Sequence, residues 1–452
     1  MAASPSALAT AGIPTSARRS RTCWNLSSHL SPRGPTGWRE TDRSPLAPRA
    51  RMRQPSGIDR TARYQMRYGS ILAAASKVFA RKGQDDFSLA AVAREMKLHP
   101  VSLTYYFNKK EDLLTAVLLD AVERYEELLS IAQGAPTPPE RLRKFIEAFF
   151  IARRRIAERG LPPLLDLTEF PERAEGQADV AQSSRQRAAD HLAALLGDAE
   201  WPWMSAPRRA LLSELTIGLL AWSDAWLWQY DPEDYPRAAA GLADLMLNGL
   251  STEPFSFPEG QFADHPPGDT RDQLLAAATG LINQVGLRGA SVDKIPARVG
   301  LTKGSLYHHL DSKDEIMAAC AERTLDQVKD ANLKASNLID GIERVAMAMT
   351  TLASRQAKTG GEALLAPGTI WGEEGASAHR SRRVHLLRAV RSMSDVLLEG
   401  MRDGSIRQVD PNLAGHYLLS VAALARHASR SIKTSELGDD YLRPALQGFF
   451  ID

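Results

Sequence analysis

The chain has 452 residues, more than one compact domain usually holds, which suggests two to four structural units. Apolar residues make up 44% and charged residues 24%, the usual shares of a globular protein with packed cores. No window reaches about 18 consecutive apolar residues, which excludes a transmembrane helix. The two cysteines, Cys23 and Cys320, cannot form a disulfide framework or a Cys-rich zinc site and favour a reducing compartment.

The formal net charge of +2 conceals basic segments on an acidic body. Residues 1–55 hold nine basic and two acidic residues, residues 60–110 hold ten and three, and residues 271–313 hold six and three. Outside these segments and Asp59 the chain therefore carries −14. Such basic segments are the electrostatic footprint of a polyanion binder, although solvated helix faces produce similar runs.

Residues 1–59 are predicted to be a disordered Arg/Ser/Pro-rich N-terminal arm, because the segment has neither a helical nor a strand period. It lacks the apolar core of a secretory signal, but its Arg and Ser content also resembles an organelle transit peptide. A third interpretation is that residues 1–51 lie upstream of a native start at Met52. A native arm would add nonspecific phosphate contacts.

A repeat at an offset of 203 residues places Ile71–Leu114 on Leu274–Met317 without a gap. Apolar residues agree at helical spacing throughout the two segments, which favours an old duplication over chance. We interpret residues 60–250 as a first copy and residues 270–452 as a second copy.

Each repeated segment is predicted to form three short helices. In the first copy Gly83 ends the first helix and Ser88 caps the next. The apolar face of the first helix is formed by Ile71, Leu72, Ala75, Val78 and Phe79. A third helix is predicted over Pro100–Phe107. Two short helices joined by a tight turn in a basic segment are typical of the helix-turn-helix motif, whose later helix lies in the major groove of DNA.

The second copy carries the more specific signature. Val299–Leu310, followed by Ser312–Asp314, resembles the DNA-binding signature of TetR-family transcriptional regulators. The first copy resembles the same family through Ile71–Ala75, Gly83, and Tyr105–Phe107. The resemblance implies an all-α fold with two helix-turn-helix DNA-binding heads, each followed by a helical body for ligand binding and dimerisation.

The resemblance also implies which side chains meet DNA: a hydroxyl at a helix N-terminus, the outward residues of the recognition helix, and a lysine that clamps a phosphate. In the first copy these residues are Ser88, His99, Pro100, Ser102, Thr104, Tyr105 and Lys110. In the second copy they are Ser291, Thr302, Lys303, Gly304, Ser305, Tyr307, His308 and Lys313. The matching apolar positions Leu103, Phe107, Leu306 and Leu310 are predicted to be core.

Three positions depart from the family pattern. Val101 stands where the family prefers glycine, Thr104 where it prefers tyrosine, and Pro296 lies inside the second helix of the second copy. A proline inside a helix removes one hydrogen bond and bends the helix, at a cost that is smaller near the N-terminal turn. These departures are consistent with weaker DNA binding, or an altered base preference, in either head.

The remaining boundaries follow from composition. Residues 60–114 are predicted to be the first TetR-like helix-turn-helix domain, 115–250 the first helical regulatory body, 251–270 a Pro- and Gly-containing linker, 271–317 the second helix-turn-helix domain and 318–452 the second body. Twenty linker residues span at most about 66–72 Å. That length is ample for two heads about 34–36 Å apart on one DNA face, so one chain can hold both halves of what is normally a homodimer.

The first body is rich in aromatic residues. The predicted ligand-binding residues are Trp222, Trp226, Phe149 and Phe170. Trp222 and Trp226 are four residues apart and are expected to share a helix face within the apolar stretch Arg208–Tyr230. They are interpreted either as an apolar pocket for a small apolar or aromatic effector, or as filling of the core or of the interface between the copies.

We therefore predict a sequence-specific, DNA-binding transcriptional regulator of the bacterial cytoplasm that binds a double-stranded operator. We expect a ligand-responsive repressor that acts as a single-chain pseudo-dimer; activation and further homo-dimerisation remain open. One alternative is a small-molecule sensor with one or both heads degenerate, acting through a protein partner. An enzyme on a helical scaffold is the other, but no catalytic motif supports it, and no cofactor, metal or membrane partner is predicted.

Overall fold

The structure is a computed structural model that describes residues 62–83, 86–165, 178–197, 201, 203–257, 268–289, 294–300, 312–366, 376–428 and 436–451. The chain divides into two compact units, residues 1–60 and 61–452. The predicted N-terminal arm lies outside the described residues, so the account below concerns the second unit. The all-α prediction is confirmed, since the described segments contain no β-strand and show only an isolated bridge between Ser251 and Ile406.

The helices of both copies follow the predicted order. The first copy contains α1 (Ala62–Lys82), α2 (Leu89–Glu95), α3 (Val101–Thr104), α4 (Lys110–Gln133), α5 (Pro138–Arg159), α6 (Ala178–Leu195), α7 (Ala206–Trp222) and α8 (Tyr235–Asn248). The second copy contains α9 (Thr270–Gly289), α10 (Lys294–Arg298), α11 (Lys313–Ala335), α12 (Gly341–Lys358), α13 (Ala376–Asp403), α14 (Pro411–Ala428) and α15 (Arg443–Gln447), the last preceded by a π-helical turn over Leu437–Leu442. None of the described helices is both long and apolar enough to cross a membrane.

The body of the first copy forms because each helix buries one apolar face. Helix α5 begins at a capping box. The Thr137 amide donates to the Glu140 carboxylate at 3.3 Å, and the Thr137 side chain accepts from the Glu140 amide. Pro138 occupies the first position of the helix. Its buried face, which includes Phe145 and Phe149, packs against α4 and α8. Helix α6 lies against α4 and α7.

The expectation of one continuous helix over the apolar stretch Arg208–Tyr230 is wrong. Helix α7 ends at Trp222, and 3-10 turns follow over Ser223–Ala225 and Leu227–Gln229. Trp222 and Trp226 therefore do not share the face of one helix. The break lets the Trp226 ring stack on Phe150 of α5, at 5.9 Å between ring centroids.

In the second copy, two buried amides hold the segment 361–366 that follows α12. Gln356 donates to the carbonyls of Leu364 and Ala423 and accepts from the Leu364 amide. Asn283, on helix α9 of the head, donates to the Gly361 and Leu364 carbonyls at 2.7 and 2.8 Å. These bonds satisfy backbone groups that would otherwise be buried without partners, and they tie the head to the body.

The two copies contact each other through their last helices. Helix α14 of the second copy packs against α7 and α8 of the first. Both crossings are close, because an added side-chain carbon at Gly218 would meet Leu424, and one at Gly241 would meet Leu413. The apolar core therefore continues from one copy into the other.

Main-chain hydrogen bonds join the ends of the copies. Gly249 caps the end of helix α8, and Gly448 caps the end of helix α15. The Leu250 amide donates to the Leu446 carbonyl at 2.7 Å, and the Phe449 amide donates to the Met246 carbonyl at 2.8 Å. The residue that follows the capping glycine of each copy's final helix therefore bonds the final helix of the other copy. We call this pair of bonds the crossed junction.

Candidate nucleic-acid interface

The first head is a small three-helix unit with its own apolar centre. Ile71 and Phe79 of α1, Val92 of α2, and Leu103 at the middle of α3 are at most 1% exposed. Phe107, just after α3, is 5% exposed. The predicted core positions Leu103 and Phe107 are thus confirmed in the first copy, and they fix which face of α3 points outward.

Local backbone features define both ends of α2. Ser88 caps α2, because its hydroxyl accepts from the Ala91 amide at 3.1 Å, as predicted. Lys97, in the turn after α2, has φ +54°, a left-handed conformation that is uncommon outside glycine. The Leu98 amide then returns to the Ala93 carbonyl at 2.8 Å, which closes the turn.

Five of the seven predicted DNA-facing residues of the first copy lie on the outside of this head. His99, Pro100, Ser102, Thr104 and Tyr105 are all exposed. The third helix is shorter than expected, covering Val101–Thr104 rather than Pro100–Phe107, with the remaining residues in a turn.

Local contacts orient several of these side chains. The Nδ1 atom of His99 accepts from the Val101 amide at 3.4 Å, at the start of α3. The Tyr105 ring meets Tyr106 edge-on at 5.1 Å, and Tyr106 lies 5.1 Å from Tyr64 of α1. Tyr106 is half-buried in this aromatic group, which agrees with its expected packing role. Lys110 is the first residue of α4 and is half-buried.

The described part of the second head repeats the geometry of the first at the same offset of 203. Ser76 donates to the Leu72 carbonyl, and Thr279 donates to the Leu275 carbonyl. Arg81 pairs with Glu95 in the first head. At the equivalent positions of the second head the cation is on the other helix, where Arg298 donates to the side-chain oxygen of Gln284 at 2.6 Å.

Where the structure describes it, the turn after the second helix of each head has a similar backbone in both copies. Gly300 has φ +69° and stands at the position of Lys97. Ser291 and the residues that follow Gly300, including Thr302, Lys303, Gly304, Ser305, Tyr307 and His308, lie outside the described residues. Helix α11 begins at Lys313, whose side chain is likewise not described. Pro296 is the third residue of the five-residue helix α10, close to its start.

The predicted ligand-binding residues of the first body are buried. Phe149, Trp222 and Trp226 are at most 5% exposed, and Phe170 lies outside the described residues. Trp226 also contacts His416 of the second copy, at 6.4 Å between ring centroids, so it belongs to the interface between the copies as well as to the core. The buried Trp222 Nε1 has no hydrogen-bond partner in the part of the chain that the structure describes.

Two further exposed residues of the first head were not among the predicted DNA-facing residues. Lys97 is exposed in the turn of the basic head, and its positive φ could have been inferred from its alignment with Gly300. Val101 is 66% exposed at the first position of α3. The position of Val101 in the helix-turn-helix segment could have predicted this exposure.

A helical head whose third helix presents an outward surface in a basic segment defines a helix-turn-helix DNA-binding domain. Residues 71–117 and 274–320 match the family described as "Bacterial regulatory proteins, tetR family". The chain therefore carries two TetR-type DNA-binding domains in tandem, the arrangement of a DNA-binding transcriptional regulator.

Two curated relatives are regulators of this type. The HTH-type transcriptional repressor KstR2 of Rhodococcus jostii (strain RHA1) is 28% identical over 201 residues, covering 40% of this chain and 96% of the relative. The HTH-type transcriptional activator FasR of Mycolicibacterium smegmatis is 35% identical over 86 residues, covering 19% of this chain and 34% of the relative.

Solved structures of single regulators are similar to part of the chain. The TetR-family regulator PfmR of Thermus thermophilus is 24% identical with a TM-score of 0.31, covering 39% of this chain and 98% of its own. The transcriptional regulator FadR of Bacillus subtilis, solved in complex with stearoyl-CoA, is 16% identical with a TM-score of 0.32, covering 40% of this chain and 99% of its own.

Proposed function

We propose that this protein is a ligand-responsive repressor in which one chain supplies both heads of a DNA-binding pseudo-dimer. The repressor assignment is supported by KstR2, which the chain matches over almost the whole length of that relative. DNA binding by the first head is supported by the net positive charge of residues 60–110, which hold ten basic and three acidic residues, and by the exposed side chains of its recognition helix.

The crossed junction is the observation that carries the pseudo-dimer. In a two-fold dimer the same surface patch meets itself, so each contact occurs twice in reciprocal form. The bond from Leu250 to Leu446 and the bond from Phe449 to Met246 run in opposite directions between the ends of the two copies, which supports an approximate two-fold pairing. Two paired bodies would hold two heads on one face of the molecule, as successive major grooves require.

The two reading helices differ in sequence, and we therefore propose an asymmetric operator. The first head offers His99, Ser102 and Thr104, whereas the second offers Thr302, Lys303 and Tyr307. Each half of the operator would present different base edges to these groups. An inverted repeat would suit two identical helices instead.

We propose that a small apolar or aromatic effector binds in the first body near Trp222 and Trp226. The buried Trp222 Nε1 supports an effector that carries a hydrogen-bond acceptor, because buried polar atoms normally have partners. The same aromatic group touches the second copy through His416. Binding there would change how the copies pack and would move the heads out of register with DNA.

The proposal is tested by selecting bound sequences from random duplex DNA. The wild type is compared with two variants, Ser102→Ala/Lys110→Ala in the first head and Lys303→Ala/Tyr307→Ala in the second. We expect one asymmetric site, bound by one chain per duplex, with each variant weakening a different half. Selected duplex should then be released by an effector from a panel of apolar and aromatic molecules.

Two results would contradict this account. A palindromic site weakened by the second-head variant alone would make the first copy a structural partner and would place two chains on the operator. Absence of any enriched sequence, even at low salt, would remove the DNA-binding proposal and favour a sensor that acts through a protein partner.

A further inference from the structure

We propose that the first head recognises its half of the operator by the 5-methyl groups of thymine, through an apolar reading surface formed by Val101, Thr104 and Tyr105. This inference rests on the proposed function, because it assigns a base preference to a head that binds DNA. It gives Val101 and Thr104 a role in base recognition, whereas the family pattern alone marks them as departures that remove polar groups from the helix.

The three residues share one exposed face of the head. Thr104 and Tyr105 lie three and four residues after Val101, so both side chains are neighbours of Val101 on α3 and the residue that caps it. Val101 is 66% exposed and Tyr105 is 61% exposed, whereas Leu103 between them is fully buried. Leu103 thus anchors α3 to the core and holds the other three residues outward.

The hydroxyl of Thr104 is already engaged within the helix. It donates to the Val101 carbonyl at 2.8 Å. The hydroxyl then has no proton left to donate to a base, and the γ-methyl of Thr104 remains to contact one. Threonine consequently extends the apolar surface of Val101 rather than interrupting it with a donor.

Tyr105 is held in place by other aromatic rings. Its ring lies 5.1 Å from Tyr106 and 6.4 Å from Tyr64, both in edge-on arrangements. Packing of this kind reduces the side-chain entropy that Tyr105 would lose on meeting DNA. The reading surface is therefore partly preorganised before binding.

The occupant follows from the chemistry of the major groove. A single exposed valine on a protein surface is ordinary, but this one opens the recognition helix of a basic helix-turn-helix head. In the major groove the thymine 5-methyl is the apolar group of the base code, and aliphatic side chains contact it directly. A reading surface with a valine and a threonine methyl therefore selects thymine steps.

The test replaces thymine by deoxyuridine, one position at a time, in the operator half bound by the first head. Deoxyuridine keeps every hydrogen-bonding group of thymine and removes only the methyl. We expect one or two positions at which the wild type loses about fourfold in affinity, equivalent to about 0.8 kcal/mol for one buried methyl group.

Two variants make the assignment specific. Val101→Ser should weaken binding to the thymine site and abolish the uracil effect, while Val101→Ile should retain it. Ile131→Ser, at a position of α4 that is 44% exposed outside the head, is the matched control and should bind and respond as the wild type does. Circular dichroism confirms that each variant is folded.

The outcomes separate this proposal from the one on which it rests. Sequence-specific binding that is insensitive to uracil throughout the first half-site overturns the thymine-methyl proposal alone. An equal uracil effect in the wild type and Val101→Ser also overturns it. If the chain selects no duplex at all, the proposed function falls and the thymine-methyl proposal falls with it.

Discussion

Single residues in the two heads show what each copy has kept since the duplication. Lys97 and Gly300 occupy the same turn with nearly the same φ, +54° and +69°. A residue with a side chain in this conformation costs roughly 1–2 kcal/mol, whereas glycine adopts it freely. The first head therefore retains a strained lysine at a place where the second head has the unstrained residue.

Replacing Lys97 by glycine should stabilise the protein. Relief of the strain exceeds the extra entropy of glycine in the unfolded chain, so we expect a gain of about 0.5–1 kcal/mol in the free energy of unfolding. Denaturant titration with an unchanged m-value measures this gain. Because an exposed positive charge is removed from a basic head, DNA binding should weaken at the same time.

Lys97→Ala is the control for this prediction. It removes the same charge but leaves a side chain in the left-handed conformation, so it should weaken DNA binding equally and give no gain in stability. An equal gain from alanine would show that the lysine side chain, rather than its backbone, is the source of the strain.

Several of these residues could be predicted from the sequence because their signals are local. Ser88 precedes an apolar helical run and caps it, and Gly83 follows one and ends it with φ +65°. The buried positions of α1 follow directly from their spacing. The strain at Lys97 has no signal in the first copy alone, since lysine favours no such turn, and it becomes visible only through Gly300.

At the scale of elements, the helices were predictable where a polar residue or glycine marks an end. The break after Trp222 was not, because Arg208–Tyr230 is apolar on both sides of it. Contacts with Phe150 and with His416 of the other copy accompany the break, and both are distant in sequence. Helix boundaries of this kind are set by tertiary packing and cannot be predicted from local helix propensity.

The crossed junction is likewise an element-level feature without a local signal, and it depends on Gly448. This residue has φ +112°, and an added methyl group would overlap the Leu247 carbonyl oxygen of the first copy. We expect Gly448→Ala to lower the free energy of unfolding by more than the roughly 1–3 kcal/mol that backbone strain alone costs. Thermal unfolding and chemical denaturation both measure this loss.

Gly404→Ala is the matched comparison. Gly404 also has a positive φ, +85°, but an added methyl group there meets open space. It should therefore cost only the strain. Equal losses of unfolding free energy for the two variants would mean that the backbone of the crossed junction can shift to admit the methyl group. The two bonds of the junction would then contribute little to holding the copies together.

At the scale of the whole molecule, a buried histidine lies where the copies meet. His416 of α14 is fully buried against Trp226, and its Nε2 is 3.0 Å from the Gln229 side chain. Burial lowers the pKa of His416 from its ordinary value to about 3. Between about pH 3 and pH 6.5 the folded protein therefore keeps this imidazole neutral, whereas the unfolded chain would protonate it.

This histidine makes the fold sensitive to acid. The pKa is lower in the folded state, so its contribution to stability is complete above about pH 6.5 and is lost as the pH falls toward 3. At pH 5 we expect a loss of about 2 kcal/mol in the free energy of unfolding relative to neutral pH. Denaturant titrations at pH 7.5, 6 and 5 give the slope.

His416→Gln should flatten that slope, since glutamine does not titrate and can still bond Gln229. The variant is compared with the wild type at each pH, so that the titration of carboxylates shared by both cancels. Parallel curves for the two proteins would rule out His416 as the source of the acid sensitivity.

The crossed junction also has a genetic consequence under the proposed pairing. Its two partners belong to one polypeptide, so the contact forms at any protein concentration and survives dilution to a few copies per cell. In a homodimeric regulator a defective allele can be dominant negative, because mixed dimers carry one defective DNA-binding head. Here each product carries its own partner, so a damaged head would be recessive in a cell with a second, intact gene.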